Sequence, residues 1–88
     1  MLRLETTPRF DRRLVAFVRA HPDLRERTGT LIDRLAASPF DPRNKTHKLE
    51  GRLRAFWGAY ITRSYRVVFL LGDEHITFIN IGSHDEVY

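Results

Sequence analysis

The sequence predicts an α+β fold in a single domain, residues 1–88. Three observations predict it. Two stretches with helical spacing of apolar residues fill the first half, strand-like stretches joined by short turns fill the second, and a brief apolar alternation precedes both. A chain of 88 residues has room for one core, not two.

Leu2 and Leu4 alternate with Arg3 and Glu5, which predicts a short first strand. Thr7-Pro8 reads as a helix start, with threonine capping and proline at the first helical position. Phe10, Leu14, Phe17 and Val18 then share one helical face. His21-Pro22 ends that helix and opens a second, with Asp23 and Glu26 near its positive end. Leu24, Leu31 and Leu35 form the second stripe, which stops near Ser38-Pro39. So short a connection predicts an antiparallel helical hairpin. Residues 39–48 read as a loop, and from Leu49 onward the pattern is strand-like: 52–54, 57–61, 65–71 and 76–81. Gly72-Asp73 marks a turn, Gly82 ends the last strand, and 83–88 form a short tail.

Short loops make the late strands antiparallel neighbours. The hairpin then buries its stripes on one sheet face and leaves the other open. Tyr65, Val67, Phe69 and Leu71 are the better core set, so Arg66 lies on the open face.

Composition narrows the chemistry. There is no cysteine, hence no disulfide and no thiolate site, which fits a reducing compartment; a cytoplasmic location is expected. No apolar leader is visible at the start. No apolar run is longer than that of Val67–Leu71, which is far too short to span a membrane, so no membrane partner is expected. Histidines 21, 47, 75 and 84 lack metal-ligand spacing, and no Gly-rich phosphate loop or GxSxG is present, so neither metal nor cofactor is expected.

Charge is unevenly spread. Residues 43–66 carry seven cations (Arg43, Lys45, Lys48, Arg52, Arg54, Arg63, Arg66) and one acid, Glu50, whereas 67–88 carry four acids and no Lys or Arg. A middle segment this basic suggests a polyanion partner, though it also suits a solvated arginine-rich surface.

The stretch HKLEGRLRAFWGAYITRSYRVVF, residues 47–69, followed by IGSHDEVY, residues 81–88, resembles the RelE/ParE toxin superfamily, the small basic toxins of bacterial type II toxin–antitoxin modules. The element order of residues 1–48 agrees. The resemblance implies a curved, mainly antiparallel sheet backed by two helices. It implies a cognate antitoxin as protein partner. For the RelE, YoeB and YafQ branches it implies cleavage of mRNA, in many of them in the ribosomal A site. The ParE branch poisons DNA gyrase by binding instead.

Residue by residue, the resemblance implies that Arg66 sits beside the scissile phosphate and that His84 is the general acid. It sets Tyr88 at the tail tyrosine of RelE, and His47 where YoeB has a glutamate proposed as general base. Trp57 and Ala59 stand where RelE has two active-site lysines, and Arg63 and Ser64 lie in the region where YafQ has a histidine and an aspartate.

Metal-free RNA cleavage uses the ribose 2′-OH as nucleophile. It needs a base, an acid and positive charge against the phosphorane. His47, His84 and Arg66 can supply all three, because imidazole titrates near neutral pH. Lys45, Lys48, Arg52 and Arg54 would hold flanking phosphates, and Tyr88 or Trp57 would stack on a base. Each has a structural alternative: His84 as a surface tail residue, Arg66 paired with an acid such as Asp85, His47 merely exposed, Trp57 in the core. The rival functions are a ParE-like gyrase binder and a degenerate member that binds only RNA or antitoxin.

Overall fold

The computed structural model describes all residues, Met1–Tyr88. Five strands and three helices follow in the order β1 (Arg3–Thr6), α1 (Pro8–Ala20), α2 (Arg25–Ala37), β2 (His47–Lys48), β3 (Trp57–Tyr60), β4 (Tyr65–Leu71), β5 (His75–Ser83) and α3 (His84–Val87). The sheet order is β1-β5-β4-β3-β2. The four later strands are antiparallel neighbours, and β1 alone runs parallel, against β5. The expected α+β architecture is therefore present.

Helix α1 starts as its sequence dictates. The Thr7 hydroxyl accepts from the Phe10 N–H at 3.2 Å, and Pro8 occupies the first turn, where no N–H is missed. At the helix junction, Pro22–Leu24 form a 3-10 turn before α2 begins. Phe10 and Phe17 from α1, and Leu31, Leu35 and Ala36 from α2, meet Ala59, Val67, Phe69, Ile76, Phe78 and Ile81 of the sheet in the main core. Val67 and Phe69 are fully buried there, as the strand alternation requires.

Two expectations fail. Residues 39–48 are not loop throughout, because His47–Lys48 pair with β3 as strand β2. Residues 52–54 are not a strand: Gly51–Leu53 form a 3-10 turn, entered through Gly51 at φ 67°. Leu49, Leu53 and Phe56 use the turn to reach Val68 and Val87 in a smaller cluster on the opposite sheet face. The short tail after Gly82 is ordered. Ser83 and Glu86 form a capping box that winds His84–Val87 into one helical turn.

A β-bulge separates the pairs Val68↔Asn80 and Phe69↔Phe78, leaving Ile79 without a partner. Phe78 and Ile81 thereby both face the main core, while Ile79 packs on the smaller cluster.

Candidate functional site

A cleft of about 980 Å³ opens on the sheet face opposite the main core, bordered by β2, the Gly51–Leu53 turn, β5, α3 and the first turn of α1. His47, Lys48, Arg52, His84 and Tyr88 line it. Its other charged lining residues are Arg9, Glu50, Asp85 and Glu86, so both signs are present.

The centre of the site is the Tyr88 ring. His84 and Tyr88 lie one helical turn apart, and the single turn of α3 puts their rings edge to face at 4.6 Å. From the other side, the Tyr88 hydroxyl meets His47 Nε2 at 3.0 Å. The Arg66 guanidinium lies 5.6 Å from the same ring and 4.4 Å over the Tyr60 ring. The two histidines, the arginine and the tyrosine expected from sequence therefore converge on one ring.

Backbone geometry fixes the state of His47. Its Nδ1 lies 2.9 Å from the Lys45 carbonyl, which can only accept, so Nδ1 carries the proton. Lys45 adopts the left-handed conformation, φ 54°, which turns that carbonyl toward the ring. In the neutral imidazole the Nε2 lone pair is then free to accept, and the Tyr88 hydroxyl donates to it. Burial pushes the Tyr88 phenol above its ordinary pKa of 10.0; the Arg66 charge pulls the other way, and Tyr60 adds to the rise. The phenol remains a donor throughout the neutral range.

Arg66 makes no ion pair. Its buried Nε has no hydrogen-bond partner. The proposed pairing with Asp85 is absent; Asp85 instead lies 3.5 Å from His84 Nδ1, too long for a firm hydrogen bond between exposed groups.

The expected phosphate ligands are scattered. Lys48 Nζ sits 4.8 Å over the Trp57 ring, which also makes a T-shaped contact with Phe40 and packs against the main core, so Trp57 is a packing residue. Arg52 lines the cleft, Arg54 does not, and Lys45 faces a separate cleft beside α2. No group of three or more His, Asp or Glu side chains converges in a way that could hold a metal ion.

Two participants went unread in the sequence. Tyr60 pairs with Arg66 across β3 and β4, so its ring can hold the guanidinium. Gly58 pairs with His47, and a Cβ there would collide with the Tyr88 hydroxyl and come within 3.2 Å of the His47 ring. The signal for both is strand register, which one sequence does not display.

Several solved structures share this fold. YafQ from Escherichia coli BL21(DE3) superimposes with a TM-score of 0.84 at 16% identity, covering 100% of this chain and 99% of that one. A metal-bound toxin from Helicobacter pylori gives a TM-score of 0.83 at 27% identity, with 100% of both chains covered. A YoeB/ParE toxin from Agrobacterium tumefaciens gives 0.79 at 21%, covering 94% and 99%. No curated protein matches the chain. A family model for the YoeB-like toxin of bacterial type II toxin–antitoxin systems matches residues 7–85. The chain belongs to that YoeB-like toxin family.

Proposed function

We propose that this toxin is a metal-independent endoribonuclease that cleaves mRNA in the ribosomal A site. The observation that carries the reading is the convergence of His47, His84 and Arg66 on the Tyr88 ring. His47 Nε2 takes the proton of the ribose 2′-OH once the Tyr88 hydroxyl swings aside. The 2′-oxygen attacks the adjacent phosphorus, and Arg66 stabilises the charge that builds on the phosphorane oxygens. His84, exposed at the start of α3, protonates the departing 5′-oxygen. The products are a 2′,3′-cyclic phosphate and a 5′-hydroxyl. Cations of the basic segment hold flanking phosphates: Lys48 and Arg52 at the cleft, with Lys45 and Arg54 further out.

A cognate antitoxin is the second partner. Its support is family membership, together with the DinJ-YafQ complex solved for a structural relative at 18% identity. The absence of a helix long and apolar enough to cross a membrane is compatible with action at a ribosome.

The test is cleavage of mRNA in a purified translation system containing EDTA-treated toxin and no chelator-sensitive nuclease. Fragments ending in 2′,3′-cyclic phosphate are expected. His84→Ala and Arg66→Ala should each slow cleavage by roughly 10²-fold or more, the usual scale for an acid or an oxyanion donor. No cleavage on or off ribosomes, with DNA gyrase inhibited instead, would select the ParE-like alternative.

A further inference from the structure

Beside the site lies a second cleft, of about 480 Å³, between α2 and the β3–β4 turn. Five of its ten lining residues are cationic (Arg27, Arg34, Arg43, Lys45 and Arg63) and none is acidic. The first cleft, by contrast, sets Arg9, Lys48 and Arg52 against Glu50, Asp85 and Glu86. The chemistry-bearing cleft is thus near neutral in its formal lining charge, and the adjacent one is wholly basic.

Two of the five cations are already engaged. Arg43 grips Asp41 through two contacts, Nη2–Oδ2 at 2.7 Å and Nε–Oδ1 at 3.1 Å. Arg34 Nε donates to the buried Asn44 side chain, which in turn donates to the Ser38 carbonyl and so braces the loop. The side chains of Arg27, Lys45 and Arg63 are exposed and make no hydrogen bond or ion pair. Like charges gathered in one concavity focus a positive potential that an anion would relieve.

The two clefts share structural parts. Tyr60 lines the second and carries on its ring the Arg66 guanidinium, which also faces Tyr88 of the first. Lys45 gives its carbonyl to His47 and its side chain to the basic cleft. A strand seated on Tyr88 need only pass Tyr60 to reach it.

We infer that the cleft of Arg27, Lys45 and Arg63 is a second subsite that holds backbone phosphate of the bound RNA, away from the scissile linkage. This rests on the ribonuclease reading and deepens it: affinity would come from one cleft and chemistry from the other.

The experiment measures binding of a 2′-O-methyl RNA oligonucleotide by fluorescence anisotropy across a salt series. This probe lacks the nucleophile, so binding is read independently of cleavage. Arg27→Ala/Arg63→Ala is compared with Arg12→Ala/Arg19→Ala, which removes the same charge from α1, outside both clefts. Thermal melting confirms that both variants fold. The cleft variant should bind about tenfold or more weakly at low salt, and its slope of log K against log salt should fall by about 1.4, the value for two lost single-strand phosphate contacts. The α1 variant should keep the wild-type slope. Equal slopes in the two variants would overturn the inference, as would a cleft variant that keeps RNA binding but loses binding to an acidic peptide. A slope difference without any cleavage by the wild type would leave the subsite standing and remove the ribonuclease reading; cleavage with equal slopes would do the reverse.

Discussion

The two faces of the sheet draw on alternate residues of the same strands, yet they are built to different standards. On the helix-covered face, Phe10, Leu35, Val67, Phe69, Ile76 and Phe78 are sealed from solvent, and Phe78 meets both Phe10 and Phe69 ring to ring. On the open face only Leu49, Val68 and Val87 form a core cluster, rimmed by partly exposed Leu53, Phe56, Ile79 and Tyr88. There the strand positions carry Tyr60 and Arg66 as well as Val68, and a charged cleft replaces the second layer. One face supplies stability. The other presents polar groups such as His84 to solvent, and beneath them it keeps the Arg66 Nε buried without a partner.

Replacements can break that division. Phe78→Ala should cost about 3–5 kcal/mol, as large-to-small changes in sealed cores do, and thermal or urea unfolding measures it. That is a large share of the ~5–15 kcal/mol expected of a small domain. The His84→Ala and Arg66→Ala proteins should melt close to wild type; a loss comparable to Phe78→Ala would mean that the open face is structural after all.

Gly58→Ala sharpens the comparison, because it perturbs geometry without removing a reacting group. Its methyl group would collide with the Tyr88 hydroxyl and crowd the His47 ring, moving the proposed base itself. Cleavage should fall roughly 10–10²-fold, the scale of an ångström-sized misplacement. Adding Tyr88→Phe should restore part of the rate, since the colliding oxygen is then gone.

The smallest effect concerns the α3 cap. Ser83→Ala should cost about 1 kcal/mol, the usual value for a lost N-cap. The Glu86 carboxyl is held below its ordinary pKa of 4.5, chiefly by the Ser83 N–H, then by the Ser83 hydroxyl and Arg13. A depressed carboxylate contributes fully above its unfolded pKa and loses that contribution as pH falls through the lower folded value. The melting temperature of the wild type should therefore drop more steeply below pH 4.5 than that of Glu86→Gln.

Most of the helix-covered face was legible. Thr7-Pro8 and the Phe10–Phe17 spacing specify α1, and alternation in Tyr65–Leu71 separates Val67 and Phe69 from Arg66. The bulge was not legible. Strict alternation from Ile76 would turn Ile81 outward, and only pairing with β4 shows Ile79 slipping out of register. Residues 52–54 alternate polar and apolar as a strand does, while Gly51 at positive φ folds the chain into a turn. The Ser83-x-x-Glu86 pattern of α3 was present to be read, but a four-residue helix has no apolar period to announce it. His84 and Arg66 stood out through the resemblance, whereas Tyr60 and Gly58 acquire meaning only when β3 is laid beside its neighbours.

Strand β2 is two residues long, the briefest element of the sheet, yet its alignment leaves little tolerance. His47 stands opposite the one position on β3 that has no side chain. A slip by one residue would set it against the indole of Trp57 or the methyl of Ala59, and would turn the imidazole to the wrong side of the sheet. The vacancy at Gly58 thus acts as a keyhole, which allows the imidazole and the phenol to meet in a single registration of the two strands.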